Sequence, residues 1–158
     1  PIGKRYWPFF IGRDGCRSPM QWDSGPQAGF TTGRPWLPLH QNAAVRNVAA
    51  LEQEPESLLN FYKRLLRLRR DVPALREGMF QSLNVSPYRI LAYLRQDQTS
   101  TLLVAMNFGR LPRKFVLGGE LSRRRWRLLL SNKRERLEQE QFFLLPLAGN
   151  EVCILEQC

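Results

Sequence analysis

The chain is short of the residues that build metal centres and disulfide scaffolds. Among its 158 residues are one histidine, His40, and three cysteines, Cys16, Cys153 and Cys158. An odd number of cysteines without metal-ligand spacing speaks against a disulfide framework and for reduced thiols in a cytoplasmic protein. His40 stands in Leu37-Pro38-Leu39-His40 with no partner histidine, which argues against a zinc site; no metal-binding residue and no cofactor is assigned. Long apolar runs are missing too. None approaches the roughly 18–20 residues of a membrane helix. Pro1-Ile2-Gly3-Lys4 lacks the pattern of a secretory leader. A first residue of proline leads to the expectation that the chain begins within a longer protein.

Acidic side chains are few: 14 Asp and Glu against 24 Lys and Arg, a net charge of +10. Arginine supplies the excess in clusters, at Lys63-Arg64, Arg67, Arg69-Arg70 and Arg123-Arg124-Arg125 with Arg127. Such stripes can neutralise phosphates. The aromatic residues are not interleaved with them as stacking platforms would be, which favours a solvated basic surface over a nucleic-acid site. A non-catalytic basic module that binds nucleic acid or acidic polymers is the alternative from a different class.

Regular periodicity is absent from residues 1–50, where prolines and glycines recur every few positions. That stretch nevertheless holds Trp7, Trp22 and Trp36, with Phe9, Phe10 and Phe30. An aromatic-rich loop of this length is made to pack on something. From Glu54 a helix is expected, with Pro55 in its first turn and Pro73 closing it. Leu58, Leu59, Phe61, Tyr62, Leu65, Leu66 and Leu68 give it one wide apolar face. After Gly78 seven short strands follow: Met79–Val85, Tyr88–Arg95, Thr101–Asn107, Lys114–Leu117, Trp126–Ser131, Gln141–Leu145 and Glu151–Glu156. They predict an antiparallel sandwich that buries one face of each strand. The fold class is thus α+β, mainly β, with domains at 1–77 and 78–158.

What remains is Gly12 to Asp23, GRDGCRSPMQWD. Arg13 and Arg17 bracket Asp14, and Ser18-Pro19 enforces an extended backbone ahead of Met20-Gln21-Trp22. An arginine fork beside an aromatic block can clamp carboxylates or vicinal hydroxyls. The bland reading is that Arg13 and Arg17 pair with Asp14 and Asp23 and pin the loop.

The longer run from Lys4 to His40 resembles the bacterial α-glucosidases of the α-amylase superfamily. The residues that carry the likeness are Arg13-Asp14, Arg17, Pro19-Met20-Gln21-Trp22, Ala28-Gly29-Phe30 and Pro35-Trp36-Leu37. The resemblance implies the segment after the last strand of a catalytic (β/α)8 barrel, then the last barrel helix and a C-terminal β domain. It implies that the greater part of the barrel, with its catalytic carboxylates, lies before this segment. No catalytic residue carries over, and the chain alone is expected to be inactive. Arg17 carries over as a substrate-binding residue at the sugar that occupies the non-reducing end, with Arg13, Asp14, Gln21 and Trp22 structuring the loop. The implied activity is hydrolysis of terminal α-linked glucose from short oligosaccharides or sucrose. A trehalose synthase or sucrose isomerase of the same superfamily would share the loop.

Overall fold

Asn47 is where α-helical structure begins in the part of the chain that the computed structural model describes, residues 16–83, 88–137 and 140–158. Its side-chain oxygen accepts the Ala50 N–H at 2.9 Å, the arrangement that satisfies one orphan donor of a first turn. Helix α1, Val48–Gln53, follows. Residues 1–50 were expected to be loop throughout, so this helix corrects that expectation at its far end. Helix α2 runs from Leu58 to Asp71. Pro55 was expected in its first turn, but Pro55 lies in a preceding turn and Ser57 does the capping, its hydroxyl accepting from Asn60 N at 3.2 Å. A serine offers that acceptor and proline does not. Arg69 and Arg70 occupy the last turn, where cations suit the negative end of the dipole. Val72 and a 3-10 turn at Pro73–Leu75 then redirect the chain.

The chain divides into two compact units, Pro1–Lys63 and Arg64–Cys158. In the described part of the first, α1 and the start of α2 accompany long loops and a tight turn at Pro26–Gly29. The second is built on β-strands: β1 Met79–Leu83, β2 Ile90–Gln96, β3 Thr101–Asn107, β4 Arg113–Val116, β5 Trp126–Ser131, β6 Leu144–Leu147 and β7 Val152–Gln157. Five form an antiparallel sheet in the order β1-β2-β3-β7-β5, while β4 and β6 form a separate antiparallel pair. The β2–β3 hairpin closes on Asp97, whose carboxylate accepts the Thr99 hydroxyl and the Thr99 and Ser100 N–H groups at 2.7–2.8 Å. Those bonds, the Thr99 hydroxyl foremost, hold the Asp97 carboxyl below its usual range.

Alternation sets the packing. Ala92, Leu94, Leu103, Ala105, Cys153 and Leu155 leave one face of the large sheet and meet Phe115, Leu145 and Leu147 of the small one, together with Leu117, Trp126 and Phe142. One buried face per strand was expected. In β3 both are buried, because Leu102 and Val104 on the reverse side pack with Ile154, Ala74 and Leu75 against Leu65 and Leu68 of α2. The sheet is thus a middle layer.

The sixth strand was expected at Gln141–Leu145, before Pro146. The ladder instead runs on to Leu147, with Pro146 opposite Lys114. A two-stranded sheet leaves one edge of each strand unpaired, and there proline costs no ladder bond. In the turn before β7, a Cβ on Gly149 would lie 1.9 Å from the Arg110 carbonyl oxygen. Only glycine permits that backbone contact. Val85, expected at the end of the first strand, lies outside the described residues.

Candidate functional site

Pro19 disfavours helix at Ser18 and is itself buried, and the backbone bends at Arg17 and Ser18 with the proline ring as an anchor. Arg17 is exposed. Two residues past the proline the backbone becomes fixed. The Gln21 and Trp22 carbonyls accept Val48 N–H at 3.0 Å and Ala49 N–H at 2.9 Å, the first two donors of α1. The Gln21 side-chain amide donates to the Arg46 carbonyl and, at 3.4 Å, to Asn42 Oδ1. Asn42 Oδ1 also lies 2.7 Å from His40 Nδ1. Gln21 therefore ties the loop to a segment 25 residues away.

Trp22 and Asp23 close a tight turn through their N–H groups, which both reach the Ala28 carbonyl, at 2.8 and 3.3 Å. The Asp23 carboxylate accepts Gly25 N–H at 2.8 Å and lies over Gly29, whose φ is +65°. A Cβ at Gly29 would come 2.4 Å from Asp23 Oδ2, so this turn needs glycine for both conformation and space. Among the described residues no arginine pairs with Asp23. Arg13 and Asp14 lie outside the described residues. Arg17, Gln21 and Trp22 thus share one short loop, Gln21 bound on three sides and Trp22 half exposed.

The other end of α1 is closed as thoroughly. The Asn60 side-chain amide donates to the carbonyls of Leu51 and Glu52, both at 3.1 Å, and of Glu54 at 2.7 Å. Ser57 Oγ donates to Leu51 O at 2.6 Å. Asn47 donates to Ala43 O at 3.0 Å while its oxygen caps the helix. Sequence patterns did not single out Asn47, Ser57 or Asn60. The signal open to a reader was capping residues, Asn then Ser, on either side of a short apolar run.

A second polar cluster lies in the β unit. Glu151 is 1% exposed. Its two oxygens receive Arg134 Nε and Nη2, each at 2.6 Å, Ala148 N–H at 2.6 Å, Ser131 Oγ at 3.0 Å and the Cys153 thiol at 3.3 Å. Burial pushes the Glu151 carboxyl up, but the Arg134 fork and the other donors outweigh it and hold it below its usual value. Burial and the Glu151 charge push the Cys153 thiol up to about 12. A carboxylate with every lone pair taken neither accepts a substrate proton nor attacks carbon. This cluster is structural.

Among the described residues no group of three or more His, Cys, Asp or Glu could hold a metal ion, and no helix is long and apolar enough to cross a membrane.

Residues 4–78 match the α-amylase catalytic domain, and residues 80–154 match the maltogenic amylase C-terminal domain. A probable α-glucosidase of Rhizobium meliloti is 39% identical over 107 residues, 68% of this chain and 19% of that protein. A probable oligo-1,6-glucosidase of Bacillus subtilis is 36% identical over 132 residues, 83% of this chain and 24% of that protein. A solved structure of a variant of the trehalulose synthase MutB, in complex with the substrate sucrose, aligns with a TM-score of 0.82 at 30% identity. It covers 95% of this chain and 27% of that one. The chain spans about a fifth to a quarter of the length of the curated relatives it matches.

Proposed function

We propose, from the premise that this chain belongs to the α-amylase superfamily of glycoside hydrolases, that it is the C-terminal part of a retaining α-glucosidase. The complete enzyme hydrolyses terminal α-linked glucose from short oligosaccharides or sucrose. Residues 1–77 end the catalytic barrel and residues 78–158 form its C-terminal β domain. The observation that carries this reading is the Arg17 loop. Gln21 and Trp22 are bound to α1 through their backbone carbonyls and the Gln21 side chain to Arg46 just before it, while Arg17, four residues before Gln21, is exposed. A planar guanidinium on a fixed loop holds two vicinal hydroxyls of a terminal sugar in one geometry. That selects chain ends.

Retaining hydrolysis uses two carboxyl groups about 5–5.5 Å apart, one acting as nucleophile and the other as acid and then base. Glu151 is fully engaged and Asp23 holds a turn, so in this reading the catalytic pair comes from the remainder of the enzyme. The surface of α2 supports a larger body. Leu58, Tyr62 and Leu66 recur every fourth residue and are 69%, 55% and 61% exposed, a stripe that an isolated chain would leave in water. Three free thiols suit a reducing, cytoplasmic setting.

A sucrose isomerase or trehalose synthase is the second reading, favoured by the likeness to MutB. A nucleic-acid module is disfavoured by the arginines themselves. Arg124 is held by Gln157 and Glu120, Arg125 by Glu140 and Arg127 by Glu156.

The test is Arg17→Lys in the complete enzyme, which keeps charge and removes the fork. Catalytic efficiency on a short α-glucoside should fall by roughly two to four orders of magnitude with the melting temperature little changed. A lower melting temperature with normal turnover would return Arg17 to a structural role.

A further inference from the structure

Helix α1 is six residues long, too short to hold itself together in water, where a helix needs about 12–15 residues to be even marginal. Its shape depends on bonds at its two ends. At the N-terminal end the donors are its own, Val48 and Ala49 N–H, and the acceptors are the carbonyls of Gln21 and Trp22. At the C-terminal end the acceptors are its own last carbonyls and that of Glu54 beyond it, and the donor they share is the Asn60 amide. The helix is therefore a strut. One end holds the loop that presents Arg17, and the other is held from the first turn of α2.

We propose that Asn60 is a positioning residue for Arg17, acting through α1 on Gln21 and Trp22. The inference rests on the sugar-binding reading of Arg17 and adds the element that fixes it. Removing the amide takes a donor from three carbonyls at once; Leu51 O keeps the Ser57 hydroxyl and Glu54 O the Ser57 N–H, while Glu52 O loses the side-chain donor that ties it to α2, and the strut frays from its C-terminal end. Fraying withdraws the two N–H groups that hold Gln21 and Trp22. Arg17 then samples orientations in which its fork misses the sugar, while β1 to β7 keep every bond described above.

The test is Asn60→Ala in the complete enzyme, alone and combined with Arg17→Lys. Amide exchange of residues 20–25 and 48–53 should quicken at least tenfold while β3 stays unchanged. Catalytic efficiency should fall about ten- to a hundredfold, carried by kcat more than KM. In the Arg17→Lys background the same change should cost less than twofold, since the side chain being positioned is already gone. Should Asn60→Ala fail to fold, Asn60→Ser, which keeps one donor, is read in the same way. Unchanged exchange would overturn the strut. Faster exchange with normal kinetics would show that α1 does not position Arg17. A silent Arg17→Lys with faster exchange in Asn60→Ala would remove the sugar-binding reading while leaving the strut in place.

Discussion

The two units solve the same folding problem in opposite ways. The β unit is held from within by Trp126, Phe115 and seven leucines, all nearly inaccessible, packed on both sides of one sheet. In the described part of the first unit the buried side chains are Pro19, Ala28, Asn47 and Ser57, of which two are polar and two small. Among its described residues Met20, Trp22, Phe30, Trp36, Val45, Leu58 and Tyr62 face solvent. What fixes that unit is a set of side chains that satisfy backbone groups. Such bonds give shape at roughly 1 kcal/mol apiece, whereas buried area gives the bulk of stability. A unit rich in the first and poor in the second is specified but weakly held until its apolar surface is covered.

The largest expected effect breaks the β unit. Trp126→Ala removes a fully buried indole whose N–H donates to Leu121 O at 3.1 Å, and should cost about 3–5 kcal/mol in chemical denaturation of the chain. Trp36→Ala, in the other unit at 62% exposure, should leave the same midpoint unmoved. Equal losses from both would mean that the loop unit has a core of its own.

Next comes the buried charge. Glu151→Gln removes the charge that faces the Arg134 fork and one of the oxygens it donates to, and should cost about 3 kcal/mol. The wild-type pair also imposes a sign on pH dependence. Because the folded carboxyl lies below its usual value of 4.5, its stabilisation is complete above that value and is lost as pH falls through the depressed folded value. Denaturation midpoints measured between neutral pH and pH 3 should drop in wild type and drop less in Glu151→Gln. Parallel curves would assign acid sensitivity to other groups.

Val104→Ala, on the reverse face of the sheet, should cost about 1–3 kcal/mol. An unchanged midpoint would show that the α2 side of the sheet contributes little. The smallest effect belongs to the first unit. Asn47→Ala removes a cap and should cost about 1 kcal/mol, read as faster exchange in α1 with the β unit's midpoint unchanged.

These contrasts also decide what the sequence could disclose. Strand positions were legible because alternation and turn residues are local, and all seven strands lie within three residues of their expected bounds. The long helix was legible from its leucine spacing, but it begins at Leu58, four residues after the expected Glu54, because Ser57 provides the cap through a hydrogen bond that spacing does not express. Helix α1 was invisible, since Val48-Ala49-Ala50-Leu51-Glu52-Gln53 is too short to show a period and exists through Asn47 and Asn60. Burial of both faces of β3 was missed because it depends on Ala74 and Leu75, which lie in a turn. At the candidate site Arg17, Gln21 and Trp22 could be named in advance from their motif. The ties of Gln21 to Arg46 and of Glu151 to Arg134, 25 and 17 residues apart, could not.

Cys153 gives the molecule a clock. With its thiol inaccessible and pushed up to about 12, almost none of it is thiolate at neutral pH, and alkylating reagents react with thiolate. Cys16 and Cys158, both exposed, are free to label at once. A third label can be added only when β7 leaves its neighbours β3 and β5, so mass spectrometry of the triply labelled chain over time counts openings of the sheet one molecule at a time.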